Sequence, residues 1–205
     1  LDIEAAITLQ AAMLDEPGAF VVDGAAFAAA LRKSAKEALI LLHAREGGDG
    51  AVMQSGRGKV SVKGAGDKVG EHPHILFGEA VAAATYAAPA FLTNLAALAP
   101  SMGKCSIRDE LQGVALQRAE LGGAERLALV ATDGETIGVA SLPLSAECGA
   151  FGGAILPAKA VEALVAARKL MSGGMHITAD GSTPCKLRFV AGPLTLTSKT
   201  IDGNY

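Results

Sequence analysis

The chain has 205 residues, half of them hydrophobic, so it can bury a real core as one large domain or two small ones. A formal net charge of −3 excludes a uniformly basic nucleic-acid coat but leaves room for a basic face balanced by acid elsewhere. Aromatics make up only 4%, with no Trp, which argues against stacking platforms for single-stranded nucleic acid.

The elements are predicted in chain order. Residues 3–13 alternate weakly and read as a strand, and "GAFVV" (18–22) reads as another. Asp23 then caps "GAAFAAALRKSAKEA", whose apolar residues recur at helical spacing. "LILLHA" and "GAVMQSGRGKVSVKGAG" follow as strands with a Gly-containing turn. "GDKVGEHPHILFGEA" breaks the pattern with Gly, Pro and charge and reads as a linker. "AAATYA" is a strand, and Pro89 opens a helix through "AFLTNLAAL" that Pro100 stops. Val81 to Pro100 is long enough to span a bilayer, but Ala content, Pro89 and Asn94 favour a strand and a buried helix. Strands are predicted at 111–118, 126–132, 136–143 and 151–156, then a helix over 158–171. "MHITAD", "CKLRFVAG" and "LTLTSKTID" close the series. Strands separated by hairpin-length gaps, with occasional helices, predict an α+β fold with helices on one face of antiparallel sheets.

An internal repeat runs through the chain. "LDIEAAITLQAAM" (1–13) lies beside "TDGETIGVASLPL" (132–144), so that Asp2 matches Asp133 and Glu4 matches Glu135. "GAFVVDGAAFAAALRK" resembles "GAILPAKAVEALVAARK", and both end in a basic pair, Arg32–Lys33 and Arg168–Lys169.

Candidate chemistry is sparse. Asp133 and Glu135 could form an acid/base pair, but Asp–Gly is turn chemistry and no His accompanies them. "HPH" (72–74) lacks further metal ligands at a useful spacing. "SGRGK" (55–59) lacks the phosphate-loop spacing and reads as a hairpin turn. Ser198 and Lys199 are neighbours on a strand and point to opposite faces, which discounts a dyad. Cys105, Cys148 and Cys185 lie far apart, as expected of reduced cytosolic thiols. No metal and no cofactor is expected. The N-terminus has no secretory pattern and no initiator Met, and so reads as part of a longer chain. The basic residues Arg32, Lys33 and Lys36 on one predicted helix, and Lys159, Arg168 and Lys169 on its counterpart, are either a solvated face or a set of phosphate contacts that read no sequence.

Three linked motifs resemble one family. "LALVATDGETIGVASLPL", "GAILPAKAVEALVAARKL" and "LTLTSKTIDGNY" look like the middle domain of the bacterial DNA polymerase III β sliding clamps. "SIRDELQGVAL" (106–116) resembles another strand of that domain, and "QSGRGKVSVKG" resembles a hairpin of the first. The resemblance implies residues 1–72 as the later part of domain 1 and 73–205 as domain 2, with antiparallel sheets outside and helices lining the inner face.

It also implies a non-enzymatic processivity factor, cytoplasmic and nucleoid-associated. Such a factor forms part of a ring around duplex DNA, self-associates, and tethers the replicative polymerase. Its implied partners are the DNA polymerase III catalytic subunit, the clamp loader and other proteins carrying a short apolar motif. The DNA-facing positions implied are Arg32, Lys33, Lys104, Lys159 and Arg168. Arg57, Lys59, Val60 and Val62 would serve the subunit interface, on an edge strand. Arg108, Leu111, Thr132, Gly134, Glu135, Thr136 and Ile137 would line the partner-peptide pocket. Glu135 and Thr136 stand where the family commonly has His–Arg, which predicts weaker binding of carboxylate-bearing peptides. The family's third domain, with its share of the pocket and of the ring joint, has no counterpart in this sequence. The rival expectation is a clamp-like interaction module that does not encircle DNA.

Overall fold

The computed structural model describes residues 2–9, 18–34, 38–45, 49–66, 68–104, 108–144 and 153–203. It divides into two compact units, Ala11–His74 and Leu1–Gln10 with Ile75–Tyr205. The sequence reading placed residues 1–72 together. Instead β1 (Ile3–Ile7) hydrogen-bonds along β12 (Leu194–Lys199), with Ile3 opposite Ser198, so the first residues belong to the larger unit. Strand pairing follows available edges and not nearness in sequence, which is why local pattern missed it.

In the smaller unit, Asp23 caps α1 (Gly24–Lys33), its Oδ1 accepting from the Ala26 N–H at 2.7 Å. Arg32 and Lys33 stand in the last turn, where cations suit the helix dipole. Beside it lies a three-stranded antiparallel sheet, β2 (Ile40–Ala44), β3 (Gly50–Ser55) and β4 (Gly58–Lys63), with β3 central. Ala30, Met53 and Val62 form its small core. "GAFVV" is not a strand. Val21 alone bridges Asp49, and the chain is tied by single hydrogen bonds before α1 begins. Lys36 lies outside the described residues.

The larger unit has two sheets. One runs β1-β12-β11-β10-β5, with β5 at Ala80–Ala87, β10 at Gly174–Asp180 and β11 at Lys186–Ala191. The other runs β8-β7-β6-β9, with β6 at Gly113–Leu121, β7 at Ala124–Thr132, β8 at Ile137–Pro143 and β9 at Ala154–Pro157. All the sheet pairings are antiparallel. Two helices pack with them, α2 (Ala88–Leu98) and α3 (Ala158–Ala166). Phe91, Leu92, Leu95 and Leu98 recur at helical spacing and put one stripe of α2 into the core. Phe91, Leu95 and Phe189 are fully buried, each worth about 2–3 kcal/mol by area removed from water.

β7 is buried on both faces. Leu127, Leu129 and Ala131 join the main core, and Ala128 and Val130 join a second cluster with Ala115 and Ile155. No described helix is long and apolar enough to cross a membrane.

Candidate functional site

The turn from β7 to β8 carries the Thr-Asp-Gly-Glu segment, and its hydrogen bonds are nearly all internal. Asp133 Oδ1 accepts from the Glu135 N–H at 3.0 Å, the Thr136 N–H at 2.7 Å and the Thr136 hydroxyl at 3.0 Å. Thr132 Oγ1 donates to the Thr136 carbonyl at 2.6 Å and accepts from Gly134 N–H at 3.1 Å. Gly134 has φ +94°, a conformation that favours Gly. The hydrogen bonds from Thr136 and Glu135 hold the Asp133 carboxyl below its ordinary range. Asp133 is therefore a turn-capping group, and the acid/base pairing with Glu135 has no geometric support.

The turn presents Glu135, Thr136 and Ile137 to solvent, Ile137 at 69% exposure. Arg108 and Leu111 reach the same end of the sheet from another direction. A short 3-10 turn, Asp109–Leu111, leads into β6, the neighbour of β7. Arg108 is ion-paired to Glu110 at 2.8 Å, which lowers the Glu110 carboxyl from its usual value. Leu111 is nearly buried and supports the turn more than it offers contact. Of the seven implied pocket residues Leu111 alone is buried, Thr132 is half-buried, and the rest, Arg108 included, are exposed.

The implied interface residues also divide. β4 is an edge strand, and Arg57, Lys59 and Val60 are exposed. Val62 is only 1% exposed because it packs with Met53 under α1, so it is unavailable as a contact for another chain. Val60 instead lines a cavity of about 240 Å³ with Lys33 and Met53.

The implied DNA-facing cations are all exposed, and none makes an ion pair with a described residue. Arg32 and Lys33 end α1 in the smaller unit. In the larger unit Lys159 sits in the first turn of α3, and Arg168 in the 3-10 turn that follows it. These two stand at opposite ends of the helix, roughly 13 Å apart along its axis. Lys104 lies beside Gly103, whose N–H donates to the Leu111 carbonyl at 2.8 Å.

Other candidates resolve into structure. Ser198 is fully buried and its hydroxyl donates to the Lys199 carbonyl at 2.8 Å, so it forms no dyad. His72 and His74 meet edge to face at 5.8 Å, and no group of three potential metal ligands occurs among the described residues. Cys185 is a free thiol that burial pushes up in pKa; Cys105 and Cys148 lie outside the described residues. Sequence reasoning missed Lys199 and Asp2, which meet across the β1–β12 pair at 3.8 Å. The contact depends on a pairing of strands far apart in the chain, which no local pattern signals.

Over 95 residues the chain is 34% identical to the beta sliding clamp of Caulobacter vibrioides strain NA1000 / CB15N, covering 46% of the chain and 25% of that protein. Its structure matches that of a DnaN sliding clamp (DNA polymerase III subunit beta) from Bartonella birtlesii bound to griselimycin, with TM-score 0.87 at 22% identity. It matches a DNA polymerase sliding clamp from Caulobacter crescentus with TM-score 0.84 at 22% identity. Each match covers 100% of the chain and 53% of the solved structure. No protein-family model matches. The chain has the sliding-clamp fold and spans about half the length of these solved clamps.

Proposed function

We propose that this chain is part of a DNA sliding clamp, one share of a ring that encircles duplex DNA and tethers the replicative polymerase. The observation that carries this reading is the likeness of fold along the whole chain to bacterial clamps. The role is mechanical and needs no catalytic residue. Asp133, the best acid/base candidate, is already committed to its own turn.

In this reading the exposed cations Arg32, Lys33, Lys104, Lys159 and Arg168 meet phosphates without reading bases. The lip Thr132–Ile137, backed by Arg108 and Leu111, is one wall of a site for apolar peptides from the polymerase, the clamp loader and repair proteins. Lys59 and Val60 on the β4 edge, with Arg57 in the turn before it, serve self-association. The residues 1–72 and 73–205 would then represent the later part of clamp domain 1 and clamp domain 2, with β1 lent across to the second. The place of action is the bacterial cytoplasm, at the nucleoid.

A second reading is an interaction module that binds peptides but does not encircle DNA. Ala25 and Ala26 favour it, because they stand at the start of α1 where the family's first-domain helix often has basic residues. The test is fluorescence polarisation of the 205-residue chain with a labelled pentapeptide containing Leu and Phe, and with a labelled duplex at low and high salt. The clamp reading expects saturable peptide binding and duplex binding that weakens steeply with salt. Peptide binding without duplex binding favours the module, and binding of neither overturns both readings.

A further inference from the structure

The larger unit contains a half-open cavity of about 370 Å³ where β1 starts and β12 ends. It is lined by Asp2, Ile3, Pro157, Lys159, Pro184, Lys199, Thr200 and Ile201, and its walls are mostly apolar. Its volume falls within the size range of small-ligand sites.

Three hydrogen bonds hold the walls in place. The Lys199 N–H donates to the Asp2 carbonyl at 3.0 Å, the Thr200 N–H to the Cys185 carbonyl at 2.9 Å, and the Ile201 N–H to the Ile155 carbonyl at 2.9 Å. The Thr200 hydroxyl also donates to the Cys185 carbonyl at 2.7 Å. A site pinned this way loses little ordering entropy on binding.

The charge at the site is unbalanced. Two ammonium groups, Lys159 and Lys199, face one carboxylate, Asp2, which lies 3.8 Å from Lys199. Lys159 is exposed and makes no ion pair with any described residue. An apolar hollow with one uncompensated cation at its rim suits an apolar ligand that carries a carboxylate. A peptide chain end delivers both from a single Cα. An acidic side chain beside a separate apolar residue needs two residues in the same small volume.

We propose that this cavity binds the C-terminal residue of a partner peptide, its apolar side chain against Ile3, Pro157, Pro184 and Ile201 and its carboxylate at Lys159. The site is distinct from the Thr132–Ile137 lip, and it shares Lys159 with the phosphate contacts of the clamp reading, so a duplex and the peptide would compete for that ammonium. The internal repeat brings the two into register, since Asp2 matches Asp133: each copy places its Asp beside a surface offered to a peptide.

The test is a titration of the ¹⁵N-labelled 205-residue protein, followed by amide chemical shifts. The probes are N-acetyl-Leu-Phe as the free acid, the same dipeptide as its amide, and N-acetyl-Asp-Leu-Phe amide. The free acid is expected to shift Ile3, Lys159, Thr200 and Ile201 saturably. The dipeptide amide, and the Lys159→Gln variant with the free acid, are each expected to bind about fivefold more weakly, the worth of one partly exposed ion pair. Lys159 is exposed, so the variant is expected to keep the wild-type melting temperature, which serves as the check that it folds. Asp133→Ala should leave this binding intact, which separates the proposal from the peptide lip. Equal binding of acid and amide, equal binding of the Asp-containing amide, or shifts confined to residues 132–137 would overturn it.

Discussion

Lys186 Nζ lies 3.1 Å from Asp180 Oδ2, and the carboxylate beneath it is completely buried. The two oxygens of Asp180 also accept from the Gly78 N–H at 3.0 Å, the Lys186 N–H at 2.8 Å and the Ser182 hydroxyl at 2.6 Å. Burial pushes the Asp180 carboxyl up, but the bonds from Ser182, Gly78 and Lys186 outweigh it and leave the pKa far below normal. Asp180→Asn removes the charge that all these donors converge on. It should lower unfolding stability by about 3 kcal/mol at pH 7, read by urea denaturation. The group's folded pKa is depressed, so its contribution is complete above the unfolded value near about 4 and fades as pH falls below it. The gap between wild type and variant should therefore be flat from neutral pH down to that point and then shrink. A gap that widens in acid contradicts the assignment.

Asp133 makes a cheaper but sharper test. Asp133→Ala leaves the amides of Glu135 and Thr136 without their acceptor, and both should exchange with solvent faster by hydrogen exchange. Asp133→Asn keeps an acceptor oxygen and should retain most of the protection. The carboxyl's lowered pKa means that wild-type protection is complete above the unfolded value and is lost only as pH falls through the folded one.

Val60 and Val62 are two residues apart on β4 but should respond differently. Val62→Ala opens a cavity under α1 and should cost about 2 kcal/mol of stability in the smaller unit. Val60→Ser, at an exposed edge position, should leave the melting temperature nearly unchanged.

Glu135 sets the charge of the proposed peptide lip. Glu135→Lys should tighten binding of an acidic, Leu- and Phe-containing peptide about threefold to fivefold at low salt, and the gain should vanish at high salt. A gain that persists in 1 M salt would mean the effect is not electrostatic.

How much of this was legible in the sequence depended on range. α2 was legible because Pro89 opens it and Pro100 stops it, and the structure puts Phe91, Leu92, Leu95 and Leu98 on its buried side. The β3–β4 hairpin and the Asp133 turn were legible because Gly and Asp–Gly carry their own backbone chemistry. The sequence motifs around 127–144 and 194–205 identified the fold, and the structural match to known clamps agrees. Pairings between distant residues were not legible. The Asp180 network depends on Gly78, far away in sequence, and no local pattern announces it. Val62 reads as an exposed edge residue until α1 is placed over it. Lys159 and Lys199 look like ordinary surface lysines until β1 and β12 bring Asp2 and Ile3 beside them.

The β1–β12 pairing joins strands farther apart in sequence than any other strand pair among the described residues. Ile3 cannot meet Ser198 until every residue between them has been made. Until then β1 lacks its β12 partner. Closing so long a loop adds only modest entropy but makes folding slow, because the rewarding contact comes last. The four-stranded sheet joins near neighbours and can form first. The larger unit is thus closed by a clasp between strands distant in sequence, and conditions that delay the clasp will leave β1 open to other chains.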